Sequence, residues 1–484
     1  MRNLKKIGYM VLVSTLFLGA CSKSLDINID PYDPSEQDAS PHLLFPSGVA
    51  YSAAKIGGDL QLLGGLWSQH YTQNNNSSQY RDIDSYSLTN QSYNGIWFNL
   101  FGGGMKDLQL ARTKAEGMGQ WHYFVASSIM LAFDYHVLVD LYGDLPIKEG
   151  LQGDLGQFTP KWDDGKTANG LILEQLDAAL AKIEQARQAP SMGTNDFVFA
   201  GNMDHWRKFA KSLKLKILMR DFDANRAAIT TLLNEADLLN TDAKMTAFED
   251  QVSKSNPLYE SERRTLGGPN IRASRTLLYY LQQKGDPRIS DFFELASNGN
   301  YEAYRQGDYF ASSTVISSRA SLAATDPVYF MSYAEVEFLQ AEAFARTGEP
   351  AKAAAHYNAG VTAAFARWGK NAAPFLAENG KYAFRPGAVE SMLEQIILQK
   401  WVAATRCQAW DSFYDQNRTG YPRVSTVEPD SPNYVAGHYT VSVNSALPGN
   451  ELPRRLAYPK NSSDFNPNTP KVVPINTKMW WHKK

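Results

Sequence analysis

Two stretches of the chain gather side chains that can hold a flat ligand rimmed with hydroxyl groups. The first runs through Trp67, Tyr71, Asn74, Asn75, Asn76, Tyr80, Arg81 and Tyr86, the second through Asn300, Tyr301, Tyr304, Arg305, Asp308 and Tyr309. Tyr and Trp offer a large apolar face with a polar edge, and Asn and Arg offer hydrogen-bonding forks of fixed geometry. A sugar calls for both, because its C–H faces stack while its hydroxyls seek donors and acceptors. The candidate ligand-binding residues are therefore Trp67, Tyr71, Asn74, Asn75, Tyr80, Arg81, Tyr301, Tyr304, Arg305 and Tyr309. Aromatic residues in loops also plug loops onto a scaffold, and the residue types fit both uses.

Groups that could make or break bonds are scattered by contrast. The eight histidines form no HExxH and no pair at metal-ligand spacing. Gly102-Gly103-Gly104 followed by Lys106 lacks the Gly-Lys-Ser/Thr ending of a phosphate loop, and no strand precedes it, so packing or a turn is its expected use. Asp140 and Asp144 bracket a Tyr-Gly turn, which predicts turn and cap duties rather than the acid and base of a glycosidase. No G-x-S-x-G occurs. Cys407 follows an apolar helical pattern and is expected to be a buried small hydrophobe. The pattern is that of a binder, not an enzyme, with neither cofactor nor metal.

The elements that must position these groups are mainly helical. Leu173, Leu176, Leu180 and Ile183 recur at helical spacing, as do Trp206, Phe209, Leu213 and Ile217, with Asp204 as the expected N-cap. Val389, Met392, Leu393, Ile396, Ile397 and Trp401 make the strongest stripe. Trp97, Trp121, Trp206, Trp401 and Trp410 sit on such stripes and are expected in the core. Strand signals are short, at Thr440–Val443 and weakly at Phe197–Phe199. From Ser332 to Arg367 the order is helix, turn, helix, and Ala341, Phe344, Gly348, Ala353 and Tyr357 match the tetratricopeptide spacing in part. One such hairpin cannot bury its own apolar face, so it needs stacked neighbours. The stretches 96–115, 120–141, 167–189, 204–239 and 389–406 supply them. Long polar loops, 73–91 and 297–324, and a tail from 422 onward complete a loop-rich half.

The start of the chain carries export chemistry. Arg2, Lys5 and Lys6 precede a 12-residue apolar run, Ile7 to Leu18, and small residues lead into Cys21. That is the layout of a secretory signal peptide, too short for the roughly 20 apolar residues of a membrane span. No later apolar run is expected to reach that length. Leu18-Gly19-Ala20-Cys21 is similar to a lipobox, which makes Cys21 the expected lipidation site and 21–40 a polar tether. With Cys21 acylated, Cys407 has no disulfide partner. The net charge of −2, from which three positive charges leave with the leader, argues against nucleic acid as a partner.

From the tether onward the chain resembles the SusD/RagB family of nutrient-binding outer-membrane lipoproteins from Bacteroidetes. The resemblance rests on Ser24-Leu25-Asp26-Ile27-Asn28, Asp140-Leu141-Tyr142-Gly143-Asp144-Leu145-Pro146, Pro160-Lys161-Trp162-Asp163 and Trp206-Arg207-Lys208-Phe209-Ala210, in that order. It continues through Asp286-Pro287-Arg288-Ile289, Tyr333-Ala334-Glu335-Val336, Gln399-Lys400-Trp401, Arg418-Thr419-Gly420-Tyr421-Pro422, Pro453 to Pro459 and Trp480-Trp481. One departure is Asn417, where the family often has an arginine, so no salt bridge is carried over there. The resemblance implies a tetratricopeptide-like helical scaffold beside a loop-rich ligand-binding half, spanning 41–484. It implies a SusC-like TonB-dependent outer-membrane transporter as partner, over which the lipoprotein acts as a lid, and lipid anchoring to the outer membrane, facing the cell surface. Oligosaccharide is the expected nutrient. The same lid role for a peptide is the alternative, followed by a surface hydrolase or a pure interaction scaffold.

Overall fold

Why the chain folds around one helix is plain from its composition. In the computed structural model, which describes residues 39–75 and 77–482, the segment Trp121–Tyr142 is a 22-residue helix buried along nearly its whole length. Contrary to the sequence expectation, this segment is long and apolar enough to cross a membrane, yet its apolar window is wholly enclosed by protein. The signal peptide, Cys21 and all of the tether before Ala39 lie outside the described residues.

Helices wrap this centre. α1 (Pro41–Lys55) runs through a π-helical turn into α2 (Gln61–Trp67), and α3 (Met105–Gly117) follows a π-helical stretch, Ile96–Gly104. The central helix is α4; α5 (Gly165–Leu180), α6 (Met203–Leu218) and α7 (Phe222–Glu235) follow. Gly104 lets α3 approach α1, since a Cβ there would lie 2.5 Å from that of Tyr51; the Gly102–Gly104 run serves packing. α6 starts two residues earlier than expected, for Asn202, not Asp204, caps it by accepting from the Asp204 and His205 amides at 3.0 and 3.1 Å. Asp164 caps α5 in the same way.

The tetratricopeptide-like hairpin forms as the spacing predicted. α8 (Arg275–Lys284) precedes it, and α9 (Tyr333–Thr347) and α10 (Pro350–Ala366) make the pair. Ser332 accepts from the Glu335 amide to start α9, and Gly348, at φ +82°, ends it in the left-handed region that favours glycine. Ala341 and Ala353 are fully buried where the helices meet. Gly360 faces Phe338 so closely that a Cβ would lie 2.9 Å from its ring. α11 (Val389–Ala403) and α12 (Ala409–Thr419) pack onward from the hairpin to α2. Trp206, Trp401 and Trp410 are core as expected. Trp97 and Trp121 are only partly buried, the first stacked between Phe101 and Trp162, the second under Lys182.

Strands are few, and they are not where alternation pointed. β1 (Tyr71–Gln73) and β3 (Ile271–Ala273) form one antiparallel pair, β2 (Ala243–Met245) and β4 (Val328–Met331) another. Phe197–Phe199 is a turn and Thr440–Val443 is irregular. Their alternation reflects local packing instead, with Phe199 against Trp206 and Gln69 bonded to both backbone groups of Thr440.

Candidate ligand-binding site

The two candidate stretches are about 230 residues apart in sequence and share one seam, β3. β1 pairs with it in the register Tyr71–Ala273, Thr72–Arg272 and Gln73–Ile271. The second stretch joins on through the Tyr304 amide, which donates to the Ala273 carbonyl at 3.2 Å, and the Arg275 amide, which donates to the Tyr304 carbonyl at 2.9 Å. After β1 the chain turns back, fixed by the Tyr80 amide donating to Gln73 Oε1 at 2.7 Å, and enters a short helix, Arg81–Asp84.

Six of the ten candidates are buried. Trp67 packs on Phe413 and donates its Nε1–H to the Ile83 carbonyl at 3.1 Å. Tyr71 is enclosed beside Phe293. The Tyr80 hydroxyl donates to Glu262 at 3.1 Å, and burial, with that carboxylate, pushes its pKa far above the usual phenol value. The single Tyr304 hydroxyl proton is shared between Asn75 Oδ1 at 2.8 Å and the Val315 carbonyl at 2.9 Å, while the Asn75 amide donates to the Ser312 carbonyl. Tyr309 is nearly buried. Trp67, Asn75, Tyr80 and Tyr304 thus use their polar edges on the protein itself, which is the plugging role open to loop aromatics.

Asn74, Arg81, Tyr301 and Arg305 are half-buried and reach solvent. Arg81 donates Nε–H to the Ser77 carbonyl at 3.0 Å and lays its guanidinium over the Tyr309 and Phe310 rings, at 5.0 and 5.2 Å from their centroids. Phe310 is 71% exposed. Arg305 forms an ion pair with Asp308 at 2.9 Å, which raises its pKa. Tyr301 sits apart, at the end of α8, where Gln282 donates to its carbonyl. The face brought together is Arg81, Tyr309 and Phe310. Phe310 escaped the sequence reading, though a second ring beside Tyr309 in a polar loop was its signal.

Beneath this face lies Asp84, fully buried, accepting from Thr72 Oγ1 at 2.8 Å, the Gln73 amide at 2.9 Å and the side chain of Gln306. Desolvation raises its carboxyl to about 6 against those three donors. The open clefts of about 570 Å³ lie elsewhere, beside β2 and α10. Among the described residues no cluster of His, Cys, Asp and Glu is placed to hold a metal.

The other motif residues serve the scaffold. Asp140 is not a turn residue: it forms a buried, forked ion pair with Arg220, closing at 2.6 Å. Asp144 does cap, accepting from the Gly165 amide at 3.0 Å. Cys407 is buried, its thiol pushed up to about 12 by desolvation, which removes it as a nucleophile. Asn417 accepts from Arg454 at 3.2 Å.

A family model, described as SusD-like and as starch-binding associating with the outer membrane, matches residues 51–459. The chain belongs to the SusD-like family. Its fold agrees with that of solved SusD-like proteins. A SusD homologue from Bacteroides uniformis superimposes with a TM-score of 0.75 at 22% identity, over 91% of this chain and 99% of its own. A SusD/RagB family protein from Bacteroides thetaiotaomicron gives 0.73 at 18% identity, over 92% and 99%. A chitin-binding protein gives 0.71 at 19% identity, over 91% and 100%. None of the curated proteins matches the sequence. SusD-like membership accounts for the helical scaffold: among the described residues about half are helical, with few strands and no barrel.

Proposed function

We propose that this SusD-like protein is a lipid-anchored outer-membrane protein that binds oligosaccharide at the Arg81–Tyr309–Phe310 face and delivers it, without cleaving it, to a SusC-like TonB-dependent channel for which it serves as lid. The observation that carries the reading is Phe310, a large ring left open to solvent beside a guanidinium already seated on two aromatic faces. Such a platform stacks a sugar's C–H face while the unspent donors of Arg81 and Arg305 meet its hydroxyls. It is open rather than a deep cavity, which favours sugar over peptide. Asn74 lies at the edge of the same loop, and the buried candidates support the platform from below. Anchoring through Cys21 is consistent with a partner fixed in the same membrane.

Calorimetry of the mature protein tests this with maltoheptaose, chitohexaose, xylan and cellulose fragments, and a peptide digest. At least one oligosaccharide is expected to bind, with product absent after prolonged incubation. Phe310→Ala with Arg81→Ala is expected to weaken that binding by at least about tenfold, or about 1.4 kcal/mol. Binding of peptides alone, or sugar binding that survives the double substitution, would sink the site. Co-purification of a TonB-dependent channel from outer membranes tests the partnership.

A further inference from the structure

One carboxylate ties the two halves of the binding face together. Asp84 accepts from Thr72 and Gln73 on the first stretch and from Gln306 on the second. Thr72 Oγ1 in turn accepts from the Gly307 amide at 3.2 Å. The Gln306 Nε2 amine also donates to the Leu66 carbonyl at 3.2 Å, so it lies between two acceptors, and its Oε1 is buried with no partner. Turning that amide over would bring oxygen against oxygen. Arg81 stands one helical turn before Asp84, and Tyr309 three residues after Gln306. The approach of the guanidinium to the rings is thus set from below by this link.

We propose that Asp84 is the positioning residue of the binding face, holding the Arg81–Asp84 turn against the 305–310 loop so that Arg81, Tyr309 and Phe310 present a single surface. The assignment rests on reading that surface as the ligand site. A face assembled before the ligand arrives spares the cost of ordering two loops on binding. In Asp84→Asn the new amine faces the Gln306 amine. Reversing Gln306 sets its oxygen against the Leu66 carbonyl, so one buried group is left unmatched either way.

The charge on Asp84 separates positioning from plain structure. A carboxyl raised to about 6 by burial favours its protonated form in the folded chain, so stability gains as pH falls from 7 to 5. That proton adds one more donor to those already aimed at the carboxylate, which spoils the link. Affinity and stability therefore move in opposite directions. Ionisable neighbours include Tyr86, Arg81 and Asp82 on its own segment, His70 and Tyr71 just before Thr72 in the chain, and Arg305 with Asp308 on the facing loop. Burial holds His70 at about 3 and pushes Tyr71 and Tyr86 well above 10, and Arg305 stays charged, so these four do not titrate in that window.

Hydrogen-exchange mass spectrometry on wild type and Asp84→Asn, with calorimetry against maltoheptaose and chitohexaose, tests this. Exchange is expected to rise together in 72–86 and 301–310 and to stay unchanged in 333–366. Affinity is expected to fall about tenfold at pH 7, and between pH 7 and 5 in wild type only. Looser exchange confined to 72–86, or undiminished affinity beside loosened loops, would overturn the assignment. If wild type binds neither sugar, the functional reading fails instead, and the exchange pattern alone decides whether Asp84 joins the loops. Gln306→Met cuts the link from the other side and replaces Asp84→Asn if that variant does not fold.

Discussion

The helical scaffold and the loop-borne face use the same kinds of charged side chain to opposite ends. Around α4, α6, α9, α11 and α12, the cations Lys216, Arg220, Arg346, Lys400 and Arg418 meet the carboxylates Asp140, Glu335, Glu342, Asp411 and Asp415 in a network from which only Arg346 reaches solvent. Five cationic side chains meet five carboxyl groups, of which burial and the neighbouring Glu335 push Asp411 up to about 7, and most of the pairs join different parts of the scaffold. On the face, Arg81 rests on rings and keeps donors free. Where charge is closed on itself the chain gains a fixed geometry; where it is left open the chain gains something to bind with.

The sharpest way to break that contrast is to unpair the network. Arg418 donates to Glu342 at 2.5 and 2.6 Å and to Asp415 at 2.8 Å, all nearly fully buried. Arg418→Met leaves Glu342 with Arg346 alone and Asp415 with Lys400 alone, and removal of one partner of a buried pair costs about 3–5 kcal/mol. Thermal unfolding is expected to show the largest loss of any single change considered. A loss below about 1 kcal/mol would mean the network is looser than its geometry implies.

Acid probes the same contrast more gently. The guanidiniums of Arg418 and Arg346 overcome desolvation and hold Glu342 down at about 2, while Lys400 and Arg418 hold Asp415 lower still. A depressed carboxyl stabilises the fold fully above its unfolded value, near 4.5 for Glu342, and loses that as pH falls toward the folded value. Glu342 alone accounts for about 3 kcal/mol across that window. Denaturant titrations at pH 5, 4 and 3 are expected to show a steep decline, shallower in Glu342→Gln, where the depressed carboxyl of Asp415 still contributes. Asp84 on the face has the opposite sign, so its protonation does not contribute to this decline.

Between the two regions lies Tyr304, a loop residue doing scaffold work. Its hydroxyl serves both Asn75 and Val315. Tyr304→Phe strands the Asn75 oxygen and is expected to cost about 1–2 kcal/mol, read as a fall in denaturation midpoint without a change of slope. No change would place Tyr304 with the open face instead.

How far the sequence revealed this division follows from what repeats. Helical stripes announce themselves because burial recurs every three or four residues, so Trp206, Phe209, Leu213 and Ile217 and the hairpin at 332–367 could be read directly. The tripeptide strands β1 and β3 are too short for any period, and their pairing joins residues 200 apart in sequence. The loop candidates were gathered by residue type, and type does not say whether Tyr80 will find Glu262 or a ligand. Asp84 and Gln306 carried no signal, because their meeting is fixed only once β3 brings the stretches together. The buried network was partly visible: Asp140, Glu335, Lys400 and Arg418 lie in the motifs that carry the family resemblance, but most of their partners lie outside those motifs.

The smallest expected effect on stability is also the one that best defines the face. Phe310 buries little of its ring, so truncation removes almost no apolar contact from the folded chain, and surface changes of this kind usually stay within about 0.5 kcal/mol. Phe310→Ala is therefore expected to unfold at the wild-type temperature. If the ring is there to stack a sugar, its loss appears in affinity alone, in contrast to Arg418→Met, where stability falls first. If the ring instead pins the 305–310 loop through its contact with Arg81 and Tyr309, truncation frees the guanidinium, loosens the loop and lowers the midpoint by more than that margin. Measuring both quantities on the one variant decides which, because the two roles draw on different surfaces of the same ring: the side against Arg81, and the side left to solvent.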